Sequence, residues 1–297
     1  MDNQTGAADQ AEAGEDADLR RRRGSSFGGA AAAYAQHRPD YAEAAVRWAL
    51  EPVADRAPLR VLDLAAGTGK LTAAIARIGA EVTAVEPDQD MLAQLRRGLP
   101  EVRALAGRAE QIPLPDGSVD AVLAGQAMHW FDLDRAMPEI ARVLTPGGLV
   151  AGLWNVDDDR VPWVAELAEL SKNTASPTLL GWRQGVGESR LQRLVAAGST
   201  RAQAGSPDGG AGRQGTEGNS RWLFHAPERR EFVHGQPRTA ESLLATIATH
   251  SNLLVMEEAD RARLLARVSD YLHARPETAS GEFVLPIVTI TLRALRR

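Results

Sequence analysis

The chain of 297 residues contains no cysteine. Disulfides, iron–sulfur clusters and thiolate zinc sites are therefore excluded, and a reducing compartment is left open. Lysine is almost missing as well: Lys70 and Lys172 are the only two, a background bias of the kind a GC-rich genome imposes. No stretch approaches the ~20 apolar residues a spanning helix needs, and FVLPIVTITL near the C-terminus has the length of a strand. The net charge of -5 provides no field to gather nucleic acid. Beyond Arg20 to Arg23 there is no basic run. In RRRRGSSFGGAAAAYAQ a basic start and the Ala33-Tyr34-Ala35 exit imitate an export signal, but the apolar middle is short and glycine-rich. The expectation is a cytoplasmic protein without membrane or nucleic-acid partners.

What is present is enough apolar residue, 44% of the chain, to bury a substantial core. Residues 1–24 lack periodic apolar positions and read as a disordered tail. A second such stretch, Gly198 to Ser220, reads as a flexible insertion. Between them strand and helix patterns alternate. Strands are expected at Arg60–Leu64, Val82–Val85, Val102–Ala106, Val119–Ala124 and Leu149–Trp154. Helices are expected at Lys70–Ile78, Gln89–Arg97 and Leu133–Leu144, the last stopped by Thr145-Pro146-Gly147-Gly148. Beyond Trp154 the pattern turns helical around Trp163–Leu170 and Ser189–Val195. It continues with a strand at Glu231–His234, helices at Thr239–Ile247 and Glu257–Leu272, and a closing strand at Phe283–Leu292, where Pro286 suggests an edge or a bulge. Such alternation builds a mostly parallel α/β sheet with helices on both faces and a cofactor site beyond the carboxyl ends of its strands.

The glycine-rich turn in VLDLAAGTGKLT, residues 61–72, sits at such an end. A phosphate-binding P-loop needs glycine and Ser or Thr where this chain has Leu64 and Leu71, so Lys70 is expected to be a solvated residue of the first helical turn. A dinucleotide fingerprint needs a third glycine where Thr72 stands. Glu86 nevertheless follows the next strand, and a carboxylate there accepts the hydroxyls of a ribose.

With Asp63-Leu64-Ala65-Ala66-Gly67-Thr68-Gly69, VTAVEPD at Val82 to Asp88, GRAEQIPLP at Gly107 to Pro115, VDAVLA at Val119 to Ala124 and RVLTPGG at Arg142 to Gly148, the chain resembles the class I S-adenosylmethionine-dependent methyltransferases. Ala65 stands where that family commonly has its first glycine. Phe27, YAQHRPDY at Tyr34 to Tyr41 and QAMHWFD at Gln126 to Asp132 are similar to the trans-aconitate methyltransferase-like, small-molecule branch. The resemblance implies a Rossmann-like sheet of seven strands with the last antiparallel, and a single domain over 25–297. That domain has its core at 60–154, an N-terminal cap at 25–59 and a C-terminal cap at 155–297.

The resemblance also distributes roles. Gly67 and Gly69, with Ala65, would let the backbone approach the cofactor; Asp63 would orient the turn or meet the cofactor's amino group, and Glu86 would take the ribose. Ala109 and Glu110 would lie along the adenine, and Gln126 would frame the cofactor through its backbone. Tyr34, Trp130 and Phe27 are candidates to cover the sulfonium, Arg38 to pair with a carboxylate of cofactor or substrate. His129, with Trp130, is expected on the acceptor side, where an imidazole has the right ordinary pKa for a general base. Asp132 and Asp134 read as caps of the following helix. The acceptor is expected to be a small molecule, methylated at O, N or C. A catalytically silent cofactor-binding regulator and a nicotinamide oxidoreductase stand as alternatives.

Overall fold

The computed structural model describes residues 38–171, 223–248, 253 and 256–297. Phe27, Tyr34, the tail at 1–24, the helix expected at 189–195 and the insertion at 198–220 lie outside the described residues.

Strands β1 (Arg60–Leu64), β2 (Glu81–Glu86), β3 (Arg103–Ala106), β4 (Val119–Gly125), β5 (Leu144–Asp157), β6 (Glu228–Arg238) and β7 (Phe283–Leu295) form one sheet. Their order across it is β3-β2-β1-β4-β5-β7-β6. β1 to β5 pair in parallel, and β7 runs antiparallel to both β5 and β6. The seven-stranded, mostly parallel architecture expected from the sequence is therefore the one observed.

Strands buried on both faces read as continuous apolar runs, and alternate residues divide between two cores. Val61, Ala121, Leu123, Leu149 and Ala151 pack against α1 (Glu43–Leu50) and α2 (Lys70–Arg77) on one face. Leu62, Leu64, Val122 and Val150 pack against Ala136, Ile140 and Ala141 of α4 (Leu133–Val143) on the other. Between these two helices in the chain, α3 (Gln89–Gly98) is capped by Asp88, whose Oδ1 accepts from the Asp90 and Met91 N–H groups. A third core joins α5 (Pro162–Leu170), α6 (Ala240–Ala248) and α7 (Glu258–Ala274) to Phe283, Leu285 and Ile287 of β7.

Two expectations need correction and one needs refining. β7 is an interior strand, but its ladder to β5 stops at Ile287, so Pro286 is paired only with Gly235 of β6 and sits at a locally open side of the strand, not in a bulge. The Pro286 carbonyl accepts from Asp158 just past the end of the β5 ladder. Its nitrogen therefore faces that same unpaired side, and the ladder to β6 loses nothing. Thr145 to Gly148 do not separate helix from strand; they bulge inside β5, where pairing jumps from Val119↔Leu144 to Ala121↔Leu149. Asp132 precedes α4 without a side-chain cap. Its own N–H is instead held by Glu110 Oε1 at 2.9 Å.

Among the described residues no helix is long and apolar enough to cross a membrane.

Candidate active site

The carboxyl ends of β1, β2 and β4 meet at the glycine turn. Ala65, Gly67 and Gly69 alternate in the left-handed region, with φ of 57°, 57° and 91°. Glycine adopts this backbone freely, whereas Ala65 carries a side chain there at some cost. The glycines also serve a purpose the sequence reading did not assign. A Cβ on Gly69 would fall 2.9 Å from Leu99 Cδ1 and 3.1 Å from Leu95 Cγ, so its absence lets the end of α3 and the residue after it close on the turn. For Gly67 the nearest atom is Met91 Sδ at 3.5 Å, ordinary contact, and its positive φ is the constraint.

Glu86 ends β2 and turns its carboxylate onto this loop. Oε2 accepts from the Gly67 N–H at 2.8 Å and Oε1 from the Asp88 N–H at 2.9 Å. Burial raises its pKa, and the two backbone donors work against that rise. Each oxygen keeps a lone pair for a further donor. Asp63, fully buried on β1, accepts from Thr72 Oγ1 at 2.5 Å through Oδ2, while its Oδ1 has no hydrogen-bond partner. Burial pushes its pKa up to about 7. Thr72, which breaks the dinucleotide fingerprint, thus has a positive use as the donor to Asp63.

Lys70 is not simply solvated. Its Nζ pairs with Asp40 Oδ1 at 3.1 Å, tying the first turn of α2 to the segment that precedes α1. Ala109 is buried in the core beside β4. Glu110 is partly exposed, with one oxygen engaged by Asp132. Gln126, just past β4, has a φ of 55° and uses its side chain as well as its backbone: Nε2 donates to the Asn155 carbonyl at 2.7 Å and its N–H to the Leu153 carbonyl at 2.8 Å.

A pocket with a free volume of about 40 Å³ opens beyond the end of β5, and Arg38, Gln126, Asn155, Asp157 and Arg238 are among its lining residues. Its apolar wall comes from Leu167, Leu243, Ile247, Leu285 and Ile287. Among the described residues, His129 and Trp130 do not line it. They sit in the 3-10 turn Met128–Trp130 with ring centroids 4.5 Å apart. His129 is an exposed residue, and desolvation by the surrounding protein lowers its pKa. Sequence reasoning missed Asn155, Thr289, Asp40 and Arg238. Only Asp40 falls in a motif, YAQHRPDY, which assigns it no role, and they meet only through pairs more than a hundred residues apart.

Comparison with known proteins agrees with this geometry. A family model described as "Methyltransferase domain" matches residues 62–152. An uncharacterized methyltransferase of Mycobacterium tuberculosis is 37% identical over 270 residues, covering 91% of this chain and 95% of the relative. This chain belongs to the methyltransferase family. A solved structure from Anaeromyxobacter dehalogenans, provisionally assigned as a type II methyltransferase, has a TM-score of 0.56 at 26% identity and covers 87% of this methyltransferase and 97% of that chain. A demethylmenaquinone methyltransferase of Chlorobaculum tepidum is 44% identical over 91 residues, 30% of this chain and 38% of the relative, so the likeness is confined to part of each. This methyltransferase has the class I, Rossmann-like fold, and the match to the family model begins at β1 and ends within β5.

Proposed function

We propose that this methyltransferase takes its methyl group from S-adenosylmethionine held across the turn at Ala65 to Gly69 and passes it to a small molecule seated in the pocket beyond β5. The observation that carries the reading is the Glu86 carboxylate, fixed 2.8 Å from the Gly67 N–H at the mouth of a left-handed turn. Its spare lone pairs suit the vicinal hydroxyls of a ribose. The buried, unbonded Asp63 Oδ1 beneath the turn suits an ammonium donor, met directly or through water. Both features fit an amino acid joined to a nucleoside.

When bound, the sulfonium supplies an activated methyl group for in-line displacement at carbon. The chain's own work is alignment. Glu86 and the turn fix one partner, and the small pocket with its apolar wall fixes the other. Orientation of this kind is worth about 7–11 kcal/mol in favourable cases, so a dedicated base is optional. The pocket's size, and its walls from α5, α6 and β7, support a small acceptor over a macromolecular one.

Calorimetric titration with S-adenosylhomocysteine tests the reading. Wild-type protein is expected to bind it, and Glu86→Ala to bind at least about tenfold more weakly, a loss of about 1.4 kcal/mol or more. Equal affinity in the two proteins would overturn the cofactor assignment. Turnover with S-adenosylmethionine across a panel of small acceptors separates an enzyme from a silent binder.

A further inference from the structure

Three elements converge on Asp40. Its N–H donates to Gln236 Oε1 on β6 at 3.1 Å, its carbonyl accepts from Asn155 Nδ2 on β5 at 3.1 Å, and its carboxylate pairs with Lys70 of α2. Asn155 Nδ2 also reaches the Pro39 carbonyl at 3.4 Å, and Asn155 Oδ1 accepts from Thr289 Oγ1 at 2.6 Å. The amide is thereby oriented: nitrogen toward two carbonyls, oxygen toward a hydroxyl. With its proton given to Asn155, Thr289 Oγ1 meets its other neighbours as an acceptor. These are the Ala42 N–H at 3.3 Å and His234 Nε2 at 2.9 Å, so the imidazole carries a proton on Nε2.

This chain of bonds runs from the edge strand β6 through the fully buried Thr289 on β7 and the buried Asn155 on β5 to Arg38–Ala42, a stretch without helix or strand. Ordering such a stretch costs backbone entropy at each residue, and no ladder of its own offsets that cost. Arg38 and Pro39 nevertheless form part of the pocket lining. The other end of the stretch is keyed by Gly125, where a Cβ would fall 2.4 Å from Tyr41 Oη.

We propose that Asn155, Thr289 and His234 are positioning residues that hold Arg38 to Ala42 in place as a wall of the acceptor pocket. The role rests on reading that pocket as the acceptor's. It is separate from cofactor binding, which uses Asp63, the glycine turn and Glu86.

Hydrogen exchange at the Asp40 and Ala42 amides, measured beside S-adenosylhomocysteine affinity, tests it. Thr289→Val keeps the shape and removes the hydroxyl; Thr289→Ser keeps the hydroxyl. Exchange at the two amides is expected to quicken about tenfold in Thr289→Val and to remain near wild type in Thr289→Ser, with S-adenosylhomocysteine affinity within about twofold in both. For whichever acceptor of the panel the wild type methylates, KM for the acceptor is expected to rise about tenfold in Thr289→Val while KM for S-adenosylmethionine stays put. His234→Ala, at a partly exposed site, removes one donor from the hydroxyl and is expected to shift exchange in the same direction if Thr289→Val does not fold. Unchanged exchange in the variants, equal exchange in the serine and valine variants, or a loss of cofactor affinity that accompanies the faster exchange would overturn the proposal. Wild-type protein that fails to bind S-adenosylhomocysteine would overturn the functional reading and this role with it, a result independent of the exchange rates.

Discussion

A carboxylate in the middle of a sheet resists ionisation, and Asp63 shows how strongly. Burial pushes its pKa up to about 7, against the pull of the Thr72 hydrogen bond. In an unfolded chain the same group titrates near 3.9. The stability it contributes is therefore complete below about pH 4 and is lost as pH rises toward about 7. Asp63→Asn keeps an acceptor for Thr72 and removes the titration, so urea denaturation from about pH 4 to 7 is expected to show a flatter dependence than wild type. Glu86, raised in the same direction, leaves a residual slope; an unaltered slope would contradict the assignment to Asp63. His129 poses a different question. Desolvation lowers its pKa, yet it does not line the pocket beyond β5. If alignment drives the transfer, His129→Ala is expected to keep kcat within about tenfold of wild type. A loss of 10²-fold or more would identify it as a general base. Residue types in short runs made the glycine turn readable, because Asp63, Gly67, Gly69 and Glu86 announce themselves by spacing. Asn155 and Thr289 give no such signal: each is an ordinary strand residue until the fold sets it 2.6 Å from the other.

At the scale of elements, α4 contains its own weak point. Pro138 lies inside the helix and is exposed, so it removes an N–H from the ladder without gaining buried contact. Pro138→Ala is expected to stabilise the protein by about 2 kcal/mol, a helix gain of about 3 reduced by the greater freedom of the unfolded chain. Chemical denaturation measures it, and a destabilised variant would mean that the proline is needed for packing. The same helix explains a sequence motif in structural terms. Arg142, near its end, donates to the Ile112 and Leu114 carbonyls at 2.9 and 2.8 Å and pairs with Glu139 and Asp116, pinning the loop that leads into β4. Elements whose two faces are both buried were the easiest to read, since the interiors of β1 and β4 are apolar but for one aspartate each, Asp63 and Asp120. β6 was the hardest. Its Gly235 and Pro237 look like breakers, and only four of its residues read as strand. An edge strand tolerates both residues, because it has one side with no ladder to lose.

The whole molecule divides its labour between the two ends of one sheet. At the carboxyl ends lie the glycine turn and the pocket; at the amino ends a single acid anchors the frame. Asp120, 3% exposed, accepts from the Arg60 backbone at 3.0 Å, from its guanidinium at 3.0 and 3.1 Å, and from Arg56 at 2.9 Å. Burial works to raise its pKa, but the arginine hydrogen bonds outweigh burial and hold it at about 2. Its folded value lies below its unfolded one, so this contribution is present above about pH 4 and is lost as pH falls toward about 2, the reverse of the Asp63 dependence. No motif announces the cluster, because Arg56 and Arg60 are 64 and 60 positions from Asp120. β4 has 7 residues, and at about 3.3 Å per residue its two ends lie roughly 20 Å apart. Damage at one end should therefore leave the chemistry at the other intact. Asp120→Ala is expected to cost about 2–3 kcal/mol in urea denaturation at neutral pH, since it strands two arginines that are only partly buried and so can recover some hydration. The same variant should bind S-adenosylhomocysteine within about twofold of wild type at a temperature where it remains folded. A loss of affinity in the folded variant would show that the two ends are coupled through β1 and β4, and that the sheet transmits strain from its anchor to its site.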